Sequence, residues 1–165
     1  MTYRLHLTLP RTRASVPIAR HLARAVLGEL GVAPECGSDI ELALTEACTN
    51  VLLHAGDGVD QYEVSIEVDL AVPLCRIEVL DAGGFDRAVL SFHAAALLAE
   101  GGRGLHLIDA LTDEVRFASG PGGGTRVVML KRLELESQVT GGGYRGAGQR
   151  HRFTAELRRL RAAPN

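Results

Sequence analysis

The sequence predicts a two-layer α/β sandwich, in which a mixed, mostly antiparallel sheet carries its helices on one face. Three observations lead to this fold class. The predicted elements follow the order strand, helix, helix, hairpin, helical segment, short helix, hairpin. Strands joined by short hairpins pair in antiparallel fashion. Two long amphipathic helices must bury their apolar faces, and one shared sheet surface serves both.

The length and composition fit one globular domain with a short tail. The chain has 165 residues, of which 46% are hydrophobic and 23% are charged. That is enough material to bury a full core. We place the domain at residues 1–135. A glycine-rich linker and a basic tail, which we expect to be flexible, follow at residues 136–165.

Charge is distributed unevenly along the chain. The formal net charge is −2, yet residues 141–165 hold six arginines against one glutamate, a charge of +5 that leaves −7 for the rest. An acidic body argues against direct nucleic-acid binding by the domain. No direct nucleic-acid binding is therefore expected of the domain, although the basic end keeps a weak electrostatic option open.

The cysteines and the N-terminus bear on the cellular compartment. The sequence has three cysteines, Cys36, Cys48 and Cys75, which is an odd number, and their spacing is not that of metal ligands. Neither a disulfide framework nor a zinc site is therefore predicted. The N-terminus lacks the apolar run of a signal peptide, and no stretch approaches the roughly 20 apolar residues of a membrane span. We expect a cytoplasmic protein without membrane contact.

The domain opens with a strand and a helix. Residues 3–9 alternate apolar and polar side chains and stop at Pro10, as a half-buried strand does. Ser15 is placed to cap a helix that runs to about Leu30 and ends at Gly31. The apolar positions of this helix recur every four residues, and we expect them to face the core: Ile18, Leu22, Val26 and Leu30.

A second helix, capped by Ser38 or Asp39, carries a polar stripe on an otherwise apolar segment. Glu46, Asn50 and His54 stand four residues apart. This spacing stacks a carboxylate, an amide and an imidazole along one helix face. Buried polar groups need partners. The pattern leaves two kinds of partner open, a ligand or an internal hydrogen-bond network.

The remaining elements form two hairpins around a helical region. Four strands are predicted at residues 62–70, 74–80, 114–118 and 125–132. Between the hairpins, residues 87–100 are predicted to form a helical lid bracketed by glycines. Residues 105–111 are predicted to form a short helix.

Four segments that could bind a ligand fall at the ends of neighbouring elements. They are the Glu46/Asn50/His54 stripe, residues 81–84, residues 101–105 and Gly124-Thr125. The P-loop pattern Gly-x-x-x-x-Gly-Lys-Ser/Thr is absent from the sequence. Instead, Gly102-Arg103-Gly104 precedes a helix, whose N-terminal amides and dipole favour phosphate oxygens. Each glycine pair taken alone is also typical of a plain loop.

Taken together, these segments resemble a known ATP-binding domain. In order and spacing they are similar to the domain shared by gyrase, Hsp90, histidine kinases and MutL, the GHKL or Bergerat ATPase superfamily. Within it they are most similar to the anti-sigma-factor serine/threonine kinases. The resemblance covers residues 3–132, and its most specific motif is the asparagine box at residues 46–55, Glu-Ala-Cys-Thr-Asn-Val-Leu-Leu-His-Ala. It implies the Bergerat fold, with ATP and magnesium as cofactors.

The resemblance assigns roles to the polar stripe. It implies that Asn50 coordinates the magnesium that bridges the ATP phosphates, and that Glu46 is the catalytic general base for the attacking hydroxyl. Magnesium prefers oxygen ligands, and a carboxylate one turn away can reach a nucleophile aimed at the γ-phosphate. The alternative for Glu46 is a structural carboxylate whose hydrogen bonds are all made within the protein core. His54 matches the family box as a nucleotide-binding residue, and a structural histidine at the helix end is equally compatible.

The glycine boxes and the last strand complete the implied site. Asp81 opens the first box, which also contains Gly83 and Gly84. It would accept a hydrogen bond from the adenine amino group, which discriminates against guanine. Thr125 would support the adenine from the last strand, although it also suits an ordinary strand position. The second box, next to the phosphates, is Gly102, Arg103, Gly104 and Leu105.

The resemblance also implies an activity and partners. It implies an ATP-dependent protein serine/threonine kinase that phosphorylates an anti-sigma-factor antagonist and regulates a sigma factor by sequestration. In that family the kinase is commonly a homodimer and holds its partners around the first helix, where Arg20 and Arg24 are candidate contacts. The first glycine box departs from the family pattern Asp-x-Gly-x-Gly, either by one missing position or by a displaced second glycine. This departure favours the alternative, a catalytically weak ATP-binding regulatory module of the same fold.

Overall fold

The computed structural model describes residues 1–55, 58, 60–81, 103–119 and 124–136. The strands in these residues are β1 (Thr2–Pro10), β2 (Gln61–Asp69), β3 (Leu74–Asp81), β4 (Glu114–Ser119) and β5 (Thr125–Arg132). The helices are α1 (Ser15–Glu29), α2 (Pro34–His54) and α3 (Arg103–Leu111). Several predicted features lie outside the described residues: the helical lid at 87–100, Gly83, Gly84, Gly102 and the tail after residue 136.

The strands form one sheet in the order β1-β2-β3-β5-β4, and every neighbouring pair is antiparallel. Both predicted hairpins are present, since β2 pairs with β3 and β4 pairs with β5. Helix α1 packs against α2, and α2 packs against α3. The predicted fold class, an α/β sandwich with a mostly antiparallel sheet, is confirmed.

The core lies between the inner face of the sheet and the helices. Strand β2 alternates buried and more exposed positions, as its sequence pattern predicts. Fully buried side chains come from both layers: Ala19, Ala23, Ile40, Leu44, Val64, Ile66, Ile77, Val79 and Met129. Burying one large aliphatic side chain stabilises a fold by about 1.5–3 kcal/mol. This packing fixes α2, and with it the polar stripe, over the sheet.

Helix α1 buries a different face from the one predicted. Ala19 and Ala23 are completely buried, whereas Ile18 and Leu22 are 48% and 39% exposed. Packed helices approach most closely where their side chains are small. The expectation that the four-residue repeat marks the core was therefore wrong for Ile18 and Leu22, whereas Leu30 does pack against the core. The buried apolar residues of α1 are Val16, Ala19, Ala23 and Leu27.

Both long helices also begin differently from the prediction. Ser15 does not cap α1, because its hydroxyl bonds inward, 2.8 Å from the hydroxyl of Tyr62. Helix α2 begins at Pro34, upstream of the predicted cap at Ser38 or Asp39. Proline suits the first turn of a helix, since its φ angle is preset and its missing N–H is not needed there. None of the described helices is long and apolar enough to cross a membrane.

Candidate active site

Helix α3 packs across α2 and brings Gly104 against the polar stripe. Glu46 and Asn50 lie one turn apart on α2, and Gly104 lies in the first turn of α3. A Cβ atom built at Gly104 would lie 2.8 Å from Oε2 of Glu46 and 3.6 Å from Oδ1 of Asn50. The first distance is too short for a real contact between carbon and oxygen, so any side chain at position 104 would force the carboxylate of Glu46 to move. The fold thus joins the carboxylate, the amide and the second glycine box.

The side-chain amide of Asn50 has a hydrogen-bonding need that the described residues do not meet. Its Nδ2 atom is buried and has no hydrogen-bond partner among them. Buried amide groups are nearly always paired, and an unpaired one costs about 1–3 kcal/mol. A flip exchanges the amide nitrogen and oxygen, so Asn50 can offer either a donor or an acceptor. Within the described part of the chain this atom belongs to no hydrogen-bond network, so a ligand is a candidate partner for it.

The available side chains also indicate how a metal ion could be held at this site. The described residues contain no group of three or more His, Cys, Asp or Glu side chains that could hold one. Magnesium commonly keeps several waters and binds only one or two protein oxygens beside substrate phosphates. The amide oxygen of Asn50, on the side of Gly104, fits the part of a single protein ligand of that kind.

A second close contact between a glycine and an acidic residue joins the end of β3 to the start of β5. Asp81 is the last residue of β3 and is 3% exposed. Gly124 directly precedes β5, and a Cβ atom built there would lie 2.8 Å from Oδ1 of Asp81 and 2.7 Å from its carbonyl carbon. Only glycine fits this position. Thr125 follows as the first residue of β5 and is half-buried. The structure therefore places Asp81 beside the segment that carries Thr125.

Tyr62 is a neighbour of this site that the sequence did not single out. It pairs with Asp81 across β2 and β3, so their side chains share the inner face of the sheet. Burial, with Cys48 close by, raises the pKa of Tyr62 above its usual value. The phenol therefore stays protonated, and Ser15 is its hydrogen-bond partner. The alternation of β2 contained the signal, because an inward-facing tyrosine needs a polar partner.

The remaining predicted site residues are distributed as follows. Arg103 is exposed in the first turn of α3, where it can reach solvent. Leu105 is 7% exposed and belongs to the hydrophobic core, so it anchors α3 in the fold. His54 is the last residue of α2. Gly83, Gly84 and Gly102 lie outside the described residues.

Comparisons with known proteins identify the family of the chain. A family model described as the histidine kinase-like ATPase domain matches residues 9–131. The chain is 32% identical over 143 residues to the serine-protein kinase RsbW of Bacillus pumilus, covering 80% of this chain and 87% of that protein.

Solved structures share the fold. The RsbU and RsbW domains of Rv1364c from Mycobacterium tuberculosis match with a TM-score of 0.61 and 25% identity, over 79% of this chain and 32% of that longer chain. The SiaB-SiaC complex from Pseudomonas aeruginosa matches with a TM-score of 0.62 and 17% identity, over 76% of this chain and 88% of that chain. The second likeness supports the fold alone.

Proposed function

The chain belongs to the histidine kinase-like ATPase domain family and, like its RsbW relatives, is a serine/threonine protein kinase; from this premise we propose that its substrate is an anti-sigma-factor antagonist. The observation that carries the proposal is the meeting of Glu46, Asn50 and Gly104 at the start of α3. It puts a carboxylate and an amide beside a helix N-terminus, where backbone amides favour phosphate oxygens.

Asp81 selects the nucleotide in this proposal. A buried carboxylate accepts hydrogen bonds and cannot donate them. It therefore suits the amino group of adenine and leaves the carbonyl of guanine without a partner. Gly124 supports this role, because it leaves the neighbourhood of Oδ1 free of a side chain. Thr125 is proposed to line the adenine pocket from β5.

Asn50 and the first turn of α3 hold the phosphate end of the nucleotide in this proposal. The partnerless Nδ2 atom supports a ligand at Asn50. Magnesium, when bound, would neutralise the charge of the phosphates, and Asn50 would supply one oxygen ligand to it. Gly104 contributes by its lack of a side chain, and Arg103 can add a cationic contact from the exposed side of the same turn.

Glu46 is proposed as the general base. The hydroxyl oxygen of a substrate serine or threonine forms a bond to the γ-phosphorus, while the bond from that phosphorus to the β–γ bridging oxygen breaks and ADP leaves. The hydroxyl proton passes to the carboxylate of Glu46. Glu46 is half-buried. It is therefore accessible to an incoming side chain and still partly shielded from water.

A phosphotransfer assay tests the proposal. The purified full chain is incubated with magnesium, γ-labelled ATP and the small proteins of its own source. We expect one labelled protein whose label survives acid and is lost in alkali, as phosphoserine and phosphothreonine behave. Chelation of magnesium should abolish labelling. A chain that binds ATP but labels no protein contradicts the proposal.

The second candidate function is a nucleotide-regulated binding module without transfer activity. The irregular first glycine box favours it, since residues 81–85 lack one position of the family pattern or carry its second glycine displaced. Calorimetric titration with ATP separates the two functions when it is combined with the transfer assay. Binding without transfer indicates a switch, and absence of binding indicates a pure interaction protein.

Three further parts of the proposal rest on the family resemblance. They are sequestration of a sigma factor, a homodimeric state, and a functional unit formed by residues 1–135 with a separate tail. Size-exclusion chromatography with light scattering measures the oligomeric state directly. A monomer at working concentrations would remove the homodimer from the proposal and leave the transfer chemistry unchanged.

A further inference from the structure

Lys131 lies on β5 and joins this strand to both α2 and α3. Its Nζ atom donates a hydrogen bond at 2.8 Å to the carbonyl oxygen of Leu111, the last residue of α3. The same atom pairs at 2.8 Å with Oδ2 of Asp39, which lies on α2. The side chain of Lys131 is 19% exposed, so both contacts are largely shielded from water. We call these two contacts the lysine bridge.

The residue type at this position is distinctive for the chain. The sequence has 18 lysine and arginine residues, and Lys131 is the only lysine among them. An ammonium group offers three rotatable donors at one point, whereas a guanidinium is a planar fork. A carboxylate and a backbone carbonyl that approach from two different helices therefore suit lysine. A cation at the C-terminal end of a helix also interacts favourably with the helix dipole.

The lysine bridge and the transfer site lie at opposite ends of the same pair of helices. On α2, Glu46 follows Asp39 by seven residues. On α3, Leu111 follows Gly104 by the same number. Gly104 lies against Glu46 at one end, and the lysine bridge joins the helices at the other. The helices are thus antiparallel, with about 10 Å of each between the two junctions, and a shift of α3 at one junction is transmitted to the other.

Apolar packing holds α3 against the fold without fixing its position along α2 as strictly. Ile108 is fully buried and Leu105 is 7% exposed, and both belong to the hydrophobic core. Hydrophobic attraction is non-directional, and packed helices can shift against each other by roughly 1–2 Å. A hydrogen bond to a helix end is directional. The lysine bridge therefore determines where α3 ends relative to α2.

The loop after α3 is also tied to β5. The backbone N–H of Asp113 donates to the carbonyl oxygen of Leu130 at 2.8 Å. The guanidinium of Arg132 pairs with the carboxylate of Asp113 at 3.0 Å. These bonds act on the loop, whereas the lysine bridge acts on the last turn of the helix itself. The ion pair of Arg132 therefore offers a control one residue away from Lys131.

We propose that Lys131 is a positioning residue of the transfer site, which fixes α3 along α2 and thereby sets the approach of Gly104 to Glu46. The inference deepens the proposed function and rests on it, because it requires the phosphates of ATP to lie at the first turn of α3. The approach leaves little tolerance, since a Cβ atom at Gly104 would lie 2.8 Å from Oε2 of Glu46. Misplacing a catalytic group by about 1 Å can lower a rate by about a hundredfold.

Hydrogen exchange of the protein without nucleotide tests whether Lys131 holds α3. Lys131→Met keeps most of the aliphatic stem and removes the ammonium group. We expect the amides of α3 to exchange about tenfold faster in this variant through local opening, while those of β1 and β2 keep their wild-type rates. Arg132→Met is the control and should leave the exchange of α3 unchanged. Equal exchange of α3 in the two variants would overturn the inference.

Phosphotransfer and calorimetric titration of the same variants test the effect on the site. We expect Lys131→Met to lower kcat by about tenfold and to raise the Kd for ATP by about threefold or more. The KM for the phosphoacceptor protein should stay unchanged, because the loss concerns α3. Arg132→Met should leave all three quantities within about twofold of wild type. A lower melting temperature of Lys131→Met with a wild-type kcat would leave the residue a structural role and overturn the inference.

A double variant tests whether Lys131 acts through the contact between Gly104 and Glu46. In the wild-type background, the methyl added by Gly104→Ala meets the carboxylate of Glu46. Once Lys131→Met has released α3, this methyl can be accommodated, so Gly104→Ala should lower kcat by less than about threefold there. Fully additive effects would assign Lys131 another route and overturn the inference. If the wild-type chain labels no protein, the proposed function fails, and hydrogen exchange and the ATP titration still decide the role of Lys131.

Discussion

Gly104 lies so close to Glu46 that a Cβ atom on the glycine would stand 2.8 Å from Oε2 of the carboxylate. The two residues belong to different helices, and their contact defines the geometry of the site. Glu46 lies beside the first turn of α3, where backbone amides point outward. Phosphate oxygens bound there would thus be within reach of the proposed base.

Gly104→Ala tests the importance of this contact. The added methyl must displace the carboxylate of Glu46 or shift α3. We expect kcat to fall by about tenfold to a hundredfold, because small misplacements of a catalytic group are costly. Gly37→Ala is the control, since Gly37 lies on α2 with nothing within 4 Å of an added Cβ. It should leave kcat unchanged and stabilise the helix by up to about 1 kcal/mol. Equal effects of the two variants on kcat would contradict the account.

Asp81→Asn tests the nucleotide assignment. The amide keeps the size of the carboxylate but loses its charge and its purely accepting character. We expect the affinity for ATP to fall by about tenfold or more, as for the loss of a charged hydrogen bond. The preference for ATP over GTP should narrow as well. Calorimetric titration with both nucleotides measures this. Unchanged selectivity would remove Asp81 from the adenine site.

The sequence predicted the fold class and the polar stripe of the candidate site because both depend on local patterns. Glu46 and Asn50 share a stripe through helical spacing alone, and the alternation of β2 marked its buried face. The contact between Gly124 and Asp81 could not be predicted in the same way, since it joins segments far apart in the chain. It depends on β5 lying next to β3, which the chain order does not specify.

Helix α1 shows a second limit of sequence reasoning. A repeat of large apolar residues indicated one face, and the helix buries another, which carries Val16, Ala19, Ala23 and Leu27. Periodicity identifies an apolar face when polar residues occupy the rest of the helix. In α1, apolar residues surround most of the axis. The choice of face is then made by how closely α2 and the sheet can approach.

We expect the stability of the folded protein to fall in acid because of the ion pairs that Glu78 forms with Arg76 and Arg126. Burial alone would raise the pKa of Glu78, but hydrogen bonds from Arg126 and Arg76 outweigh it and hold the pKa below the usual value near 4.5. The folded state therefore binds this proton less readily than the unfolded state does. The resulting stability is present above about pH 4.5 and is lost as the pH falls through the lower, folded-state pKa.

Urea denaturation of wild type and Glu78→Gln at neutral and acidic pH checks this expectation. The glutamine variant should be less stable at neutral pH, because it leaves two arginines with a weaker partner. Below about pH 4.5 its free energy of unfolding should change less with pH than that of wild type. Parallel pH profiles for the two proteins would show that Glu78 does not contribute.

The three cysteines are expected to be unreactive in the folded protein. Burial raises the pKa of Cys48 and of Cys75 to about 12 in each case, and it also raises the pKa of Cys36. Only the thiolate reacts quickly with disulfide reagents. At mildly alkaline pH we expect slow labelling by a chromogenic disulfide, and prompt labelling of all three after denaturation. Fast labelling of the folded protein would contradict the buried placement.

The central claim is that Glu46 is the base for phosphotransfer. Glu46→Gln keeps the shape of the side chain but cannot accept the hydroxyl proton. The control is Glu35→Gln, which removes a charge from the exposed first turn of the same helix. Both variants should bind ATP like the wild type in a calorimetric titration.

The most direct measurement is the rate of γ-label transfer from ATP to the phosphoacceptor protein by these two variants. We predict that Glu46→Gln lowers this rate by about a hundredfold or more, in line with the loss of a general base, and that Glu35→Gln leaves it unchanged. Transfer by Glu46→Gln at the wild-type rate would contradict the account.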